Sequence, residues 1–171
     1  MRCFVGVWPP AAVRDVLGPP PEEVPGIRWS PPEAWHVTLA FAGDVAAPAV
    51  ESWTAALGAA AARLAARPEA VLGPATGTLG PAVLCVPVGG LDAAATAVRE
   101  EAARRGLPFD EQPFVGHLTL ARARGRRGRV PSRLVGRPVS ARWPVAELRL
   151  VRSLRDSHGS RYETVATATV Q

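Results

Sequence analysis

His36-Val37-Thr38-Leu39-Ala40 recurs 81 positions later as His117-Leu118-Thr119-Leu120-Ala121. The chain has three histidines, and two of them carrying a threonine at the same offset would arise in roughly one shuffled sequence in a hundred. Each copy lies in an apolar, β-branched run, and in a strand residues i and i+2 project to the same face. Each pentad therefore presents an imidazole beside a hydroxyl. One motif recurring at this distance, with helices interleaved among strands, predicts two similar α/β halves that face each other across a cleft.

Outward from the two motifs, the pattern predicts strands at 2–8, 27–29 and 36–42, with a short helix at 11–17 and a Pro/Gly-rich link at 18–26. Pro48 suits a first helical position, and Val50, Trp53, Leu57, Ala60 and Leu64 form an apolar stripe before Pro68. Strands are expected at 70–79 and 82–88. A second helix at 91–105 buries Leu91, Ala94, Val98 and Ala102 and ends at Gly106, with Glu100/Arg104 and Glu101/Arg105 as i,i+4 pairs. The second motif strand runs from 117 to 122, followed by strands at 145–151 and 162–170, with a turn at 156–160.

At 171 residues, 47% of them hydrophobic, the chain has apolar surface for one sizeable core, so 1–171 is read as a single domain. The apolar run near the N-terminus is too short for a signal peptide or a membrane span, and a cytoplasmic location without membrane contact is expected. Cys3 and Cys85 form no C-x-x-C pair and read as small buried side chains in a reducing compartment rather than as nucleophiles. All 20 basic residues are arginine. No Asp or Glu occurs between Glu111 and Glu147, where Arg122, Arg124, Arg126, Arg127, Arg129, Arg133 and Arg137 crowd together; without these seven the net charge of +5 would be −2. Local basicity beside the second motif suggests a polyanionic partner, against the simpler reading of a solvated loop.

The paired motifs suit phosphate diester chemistry. An unperturbed imidazole has a pKa of about 6.5, so one can act as base while the other, protonated beside an anion, acts as acid. The hydroxyls of Thr38 and Thr119 can donate to non-bridging phosphate oxygens and stabilise the charge developing there. The histidines lack the spacing of a local zinc motif and the cysteines are not clustered, which argues against a metal centre. Neither a G-x-S-x-G elbow nor a phosphate-binding G-x-x-x-x-G-K-[ST] loop is present.

These motifs resemble those of the two-histidine phosphoesterases, and their surroundings are similar to the LigT-like bacterial RNA 2′,3′-cyclic phosphodiesterases, formerly called 2′-5′ RNA ligases. The likeness includes Arg2-Cys3-Phe4-Val5-Gly6-Val7 and Arg28-Trp29-Ser30-Pro31-Pro32-Glu33-Ala34-Trp35-His36. It continues through the second motif into Ala121-Arg122, then Glu147-Leu148-Arg149-Leu150-Val151-Arg152-Ser153 and Arg161-Tyr162. The resemblance implies an α+β fold with two pseudo-symmetric α/β lobes whose antiparallel sheets line a central cleft. It also implies a monomer with no cofactor and no metal, acting on RNA with a 2′,3′-cyclic phosphate terminus to leave a 2′-phosphomonoester. In that mechanism His117 is the proton acceptor that activates water, and His36 is the proton donor to the departing 3′ oxygen; Thr38 and Thr119 bind the substrate. Gly116 departs from the family, which often has proline before the second histidine, and is expected to loosen the backbone there.

Arg122 has two readings, a phosphate contact or an ordinary solvent-facing arginine, because strict alternation turns it away from His117 and Thr119. His158 reads as a surface residue of a polar turn, and the five tryptophans as core, with one near the cleft able to hold a nucleobase. Two alternatives stand beside the RNA-end reading. One is a phosphodiesterase for a small cyclic nucleotide, using the same imidazoles and hydroxyls. The other is a non-catalytic RNA-binding module built on the arginine cluster.

Overall fold

The computed structural model describes residues 1–19, 23–156 and 159–171. The described residues form, in order, β1 (Arg2–Val7), α1 (Ala11–Leu17), β2 (Ile27–Trp29), β3 (Val37–Asp44), α2 (Ala49–Arg63), β4 (Glu69–Leu72), β5 (Gly77–Leu79), β6 (Val83–Gly89), α3 (Asp92–Arg104), β7 (His117–Ala123), β8 (Ala141–Pro144), β9 (Glu147–Asp156) and β10 (Gly159–Thr169). The fold is α+β, and every strand pairing among these residues is antiparallel.

The strand order is β10-β9-β1-β3-β7-β6-β4-β8, with β2 added to β7 and β5 to β6. It divides into two lobes at its centre, because β3 and β7 meet at a single register pair, Val37 opposite Leu118. Both residues immediately follow a motif histidine. Antiparallel pairing of equivalent positions is what an approximate dyad between the motifs requires. The inner neighbours obey it too: Val7 opposes Val37 and Gly6 opposes Thr38, while Val86 opposes Leu118 and Cys85 opposes Thr119.

The helices interlock the lobes rather than serving one each. α1 follows β1 but packs against β8 of the other lobe, and α3, which connects β6 to β7, packs on α2 and on β3. Arg99 of α3 donates from Nε to the Leu39 carbonyl at 3.2 Å. A single cluster of buried side chains consequently runs from Val5, Leu39 and Leu57 to Leu84, Val98 and Leu118. The expected stripes are the buried faces: Trp53, Leu57 and Ala60 in α2, and Ala94, Val98 and Ala102 in α3, with Leu91 beside them at the α3 N-cap. Gly106, at φ +62°, follows α3 as a left-handed stop.

Two expectations change. The single strand at 70–79 is split into β4 and β5 around Gly73, whose φ of +118° and close approach to the Val139 carbonyl exclude a side chain. The two pieces pair with opposite ends of β6. β8, absent from the sequence reading, is a short strand on the far edge beside β4, and four residues with one buried side chain leave little periodicity to detect. Both cysteines are free and buried as expected, and among the described residues no helix is long and apolar enough to cross a membrane.

Candidate active site

One edge of β7 places the first motif. β2 pairs with residues 121–123 of β7, the Ser30 amide donates to the Leu120 carbonyl at 2.8 Å, and the chain then leaves the sheet and rejoins it at Val37 opposite Leu118. The excursion folds as a single 3₁₀ turn, Pro32–Ala34. Trp35 closes it: the ring is buried at 3% exposure, and its Nε1 donates to the Ser30 carbonyl at 3.1 Å. His36 emerges from this closure over the cleft. Its Nδ1 lies 2.7 Å from the Ala34 carbonyl, and in the second motif His117 Nδ1 lies 2.7 Å from the Val115 carbonyl. A carbonyl only accepts, so Nδ1 is the protonated nitrogen in both rings and Nε2 is left to exchange a proton.

A matched irregularity lies further along each motif strand. Along β3 the register steps from Thr38 opposite Gly6 to Ala40 opposite Val5, and along β7 from Thr119 opposite Cys85 to Ala121 opposite Leu84. Leu39 and Leu120, at equivalent motif positions, are therefore bulge residues without a partner. A bulge turns two successive side chains to one face. Leu39 and Ala40 are both buried, as are Leu120 and Ala121, so the next residue in each strand, Phe41 or Arg122, returns to the cleft. The alternation that would turn Arg122 away is thus broken one residue earlier, and Arg122 shares the cleft with both histidines and both threonines.

The cleft encloses about 630 Å³, within the range of small-ligand sites. Its lining brings together the arginines Arg2, Arg28 and Arg122, the hydroxyls of Ser30, Ser153 and Tyr162, and the rings of Phe4 and Phe41, with the Arg2 guanidinium 4.8 Å over the Phe41 ring. A family model described as LigT-like phosphoesterase matches residues 7–70, which contain the first motif. Three solved structures are similar over nearly the whole chain. TT0787 of Thermus thermophilus is 28% identical with a TM-score of 0.78, covering 99% of this chain and 98% of its own. Apo LigT of E. coli is 25% identical with a TM-score of 0.69, covering 99% and 96%. E. coli LigT complexed with 3′-AMP is 25% identical with a TM-score of 0.70, covering 99% and 97%. A comparison with curated proteins finds no match.

The chain is similar to the LigT-like phosphoesterases. This agrees with the resemblance to the two-histidine phosphoesterases read from the sequence, yet the cleft treats its histidines unequally. The His36 ring stacks on Phe4 at 4.7 Å and on Trp8 at 5.0 Å between centroids, with Tyr162 edge-on at 5.0 Å. Burial in this aromatic shell pushes the His36 pKa down to about 4; the Ala34 hydrogen bond opposes the shift, and the positive charges of His117 and Arg122 add to it. His36 is accordingly neutral at pH 7 in the free protein. No aromatic ring packs on His117 among the described residues.

Several residues of this cleft escape sequence reasoning. Arg28 is brought in because it opposes Arg122 in the β2–β7 pairing, and Phe4 because it lies two residues before Gly6 on the face of β1 that opposes the first motif. Tyr162, the sole tyrosine, offered a signal only as part of the resemblance. Trp8 is the tryptophan beside the site, with the Arg149 guanidinium 5.4 Å over its ring; Trp35, Trp53 and Trp143 are core. Gly116 corrects another expectation. Its amide region is packed rather than loose, since a Cβ there would lie 2.0 Å from the Val88 carbonyl, and the Val88 amide donates to the Gly116 carbonyl at 2.9 Å. His158 lies outside the described residues. Among the described residues no cluster of three or more metal-ligating side chains occurs.

Proposed function

We propose that the protein hydrolyses RNA 2′,3′-cyclic phosphate ends to 2′-phosphomonoesters by histidine acid–base catalysis. One observation carries the reading: the two motifs meet in equivalent register, with each Nδ1 tied to the carbonyl two residues earlier and each Nε2 left to transfer a proton. Thr38, Thr119 and Arg122 receive the non-bridging oxygens. His117 takes a proton from water, whose oxygen bonds to phosphorus; the bond from phosphorus to the 3′ oxygen breaks, and His36 supplies the proton to that oxygen. A donor must first hold its proton, and the negative charge of the phosphate favours the imidazolium at His36. Neither step needs a cofactor or a metal ion.

The desolvation of His36 also favours a second reading of the roles, in which neutral His36 is the base and His117 the acid. Both assignments use the same residues, and coupled histidines titrate as a pair. That E. coli LigT forms a complex with 3′-AMP supports a nucleotide ligand, and a cyclic mononucleotide is the small-substrate alternative. Ligation through a 2′-5′ bond is the reverse reaction at the same site. The reading takes 1–171 as one catalytic domain, since both motifs are required, acting as a monomer on RNA in the cytoplasm.

The test is phosphorus NMR of an oligoribonucleotide ending in a 2′,3′-cyclic phosphate, incubated with protein in EDTA. Wild type is expected to give the 2′-phosphate, and His36→Ala and His117→Ala to leave the cyclic end intact. Full turnover by either variant would overturn the reading, and a requirement for added metal would overturn its metal-free chemistry.

A further inference from the structure

Several arginines elsewhere on this surface are neutralised by neighbours, although Arg14, Arg67, Arg133 and Arg137 form no ion pair among the described residues. Arg63 and Arg104 pair with Glu100 and Glu101, Arg142 with Glu69, and Arg161 with Glu163. One cluster lacks such partners as well. Arg28, Arg122, Arg124, Arg126, Arg127 and Arg129 are all exposed, and among the described residues none of them forms an ion pair. Keeping so many like charges together without counterions costs self-repulsion, which an anionic partner relieves.

Their arrangement is continuous. Arg28 and Arg122 are direct cross-strand partners and share the cleft face. Arg28 also lines a second groove of about 420 Å³ that holds Arg124, with Glu23 as its acidic member. Beyond it, the segment Arg124-Gly125-Arg126-Arg127-Gly128-Arg129 is a tied turn rather than a free loop. The Arg124 amide donates to the Gly26 carbonyl at 2.7 Å, the Gly128 amide to the Gly125 carbonyl at 3.1 Å, and the Val130 amide to the Pro81 carbonyl at 2.9 Å. Gly125 has φ +83° and a Cβ on Gly128 would meet the Arg124 carbonyl at 2.3 Å, so glycine lets the turn close between its arginines.

We propose that this arginine track, from Arg28 and Arg122 through Arg124 to Arg129, binds the RNA strand 5′ of the end held in the cleft. The proposal rests on the cyclic-phosphodiesterase reading above and makes a multi-nucleotide RNA the preferred substrate over a cyclic mononucleotide. The groove begins at the cleft, where the terminal nucleotide sits, and leaves along the β2–β7 edge, so a strand entering the cleft by its 3′ end lies along it. Successive guanidinium groups can follow a phosphate backbone without reading sequence. The turn contains only arginine and glycine, with no apolar side chain to enter a lipid interface, which favours a polynucleotide over a membrane.

The experiment compares a 2′,3′-cyclic mononucleotide with a decaribonucleotide bearing the same terminus, using wild type and a variant combining Arg124→Gln, Arg126→Gln and Arg127→Gln. Wild type is expected to show a higher kcat/KM for the decamer. The variant should lose about tenfold or more on the decamer while turning over the mononucleotide, which ends before the track, as wild type does; that second rate also reports correct folding. Each neutralised contact to a single strand lowers the salt slope by about 0.7, so the slope for the decamer should fall by about 2. Equal wild-type rates on the two substrates, or an equal loss on both in the variant, would overturn the proposal. If wild type turns over neither, the reading of the cleft has failed, and fluorescence anisotropy with a labelled 3′-phosphorylated decamer decides the track alone. Salt-sensitive binding lost in the variant supports it; equal binding by wild type and variant overturns it.

Discussion

His36 and His117 share a motif, a tautomer and a cleft, but the rings around them differ. Phe4, Trp8 and Tyr162 close on His36, remove water from it and penalise its charged form. Titration should show this directly: the His36 ring resonance in NMR is expected to move with a midpoint of about 4 in the free protein, and to shift upward when inorganic phosphate binds. A midpoint at about 6.5 without ligand would mean that the aromatic shell leaves the ring hydrated. The same shift has a stability consequence. Because the folded pKa lies below the unfolded one, the unfolded chain binds more protons between about pH 6.5 and 4, and stability falls as pH drops through that window. His36→Gln should flatten that part of the pH–stability curve in urea melts, and an unchanged slope would assign it to other groups.

The strands decide which side chains reach these rings. Without the bulges at Leu39 and Leu120, alternation would carry Phe41 and Arg122 to the core side; with them, one motif is followed by an aromatic ring and the other by a guanidinium, both in the cleft. The two motif strands thus build one chemically asymmetric site from nearly identical pentads. Gly116 holds the second motif strand against β6 with no room for a methyl group. Gly116→Ala is therefore expected to cost about 1–3 kcal/mol through overpacking and to lower kcat by displacing the adjacent His117. Chemical denaturation and steady-state rates check both effects. An alanine variant with wild-type stability and activity would mean that the strands separate there at no cost.

Exchange of helices between lobes makes the cleft a property of the entire chain. α3 leaves β6 of one lobe, packs on β3 of the other, and is clamped to α2 through Glu101, which receives Arg63, Arg104 and Arg105 at 5% exposure. The Arg105 hydrogen bond leads in holding this carboxyl below the usual glutamate range, with Arg63 and Arg104 adding to it. The stabilisation is therefore present above the unfolded glutamate pKa and lost as pH falls through the depressed folded value. Glu101→Gln should lower Tm at pH 7 and narrow that difference in acid. With the lobes interlocked, unfolding should remain one transition by both tryptophan fluorescence and far-ultraviolet circular dichroism. Separate midpoints for the two probes would show that the lobes unfold independently.

The duplicated His-x-Thr pentads, the stripe through Trp53 and Leu57 and the stripe through Leu91 and Val98 were legible in the sequence because each is a local periodic signal. Side-chain direction within one strand or helix follows from spacing alone. The arginine cluster was legible as charge but not as a track, since its link to the cleft runs through the pairing of Arg28 with Arg122, 94 positions apart. The bulges are equally hidden, because an unpaired residue is defined only by the strand opposite it. So are the packing of Gly116 on Val88 and the gathering of Phe4, Trp8 and Tyr162 around His36. By itself the sequence determined the α+β class and the pair of histidines. Tertiary structure alone decided their unequal environments and the return of Arg122 to the cleft, because desolvation and register are set by contacts between distant segments.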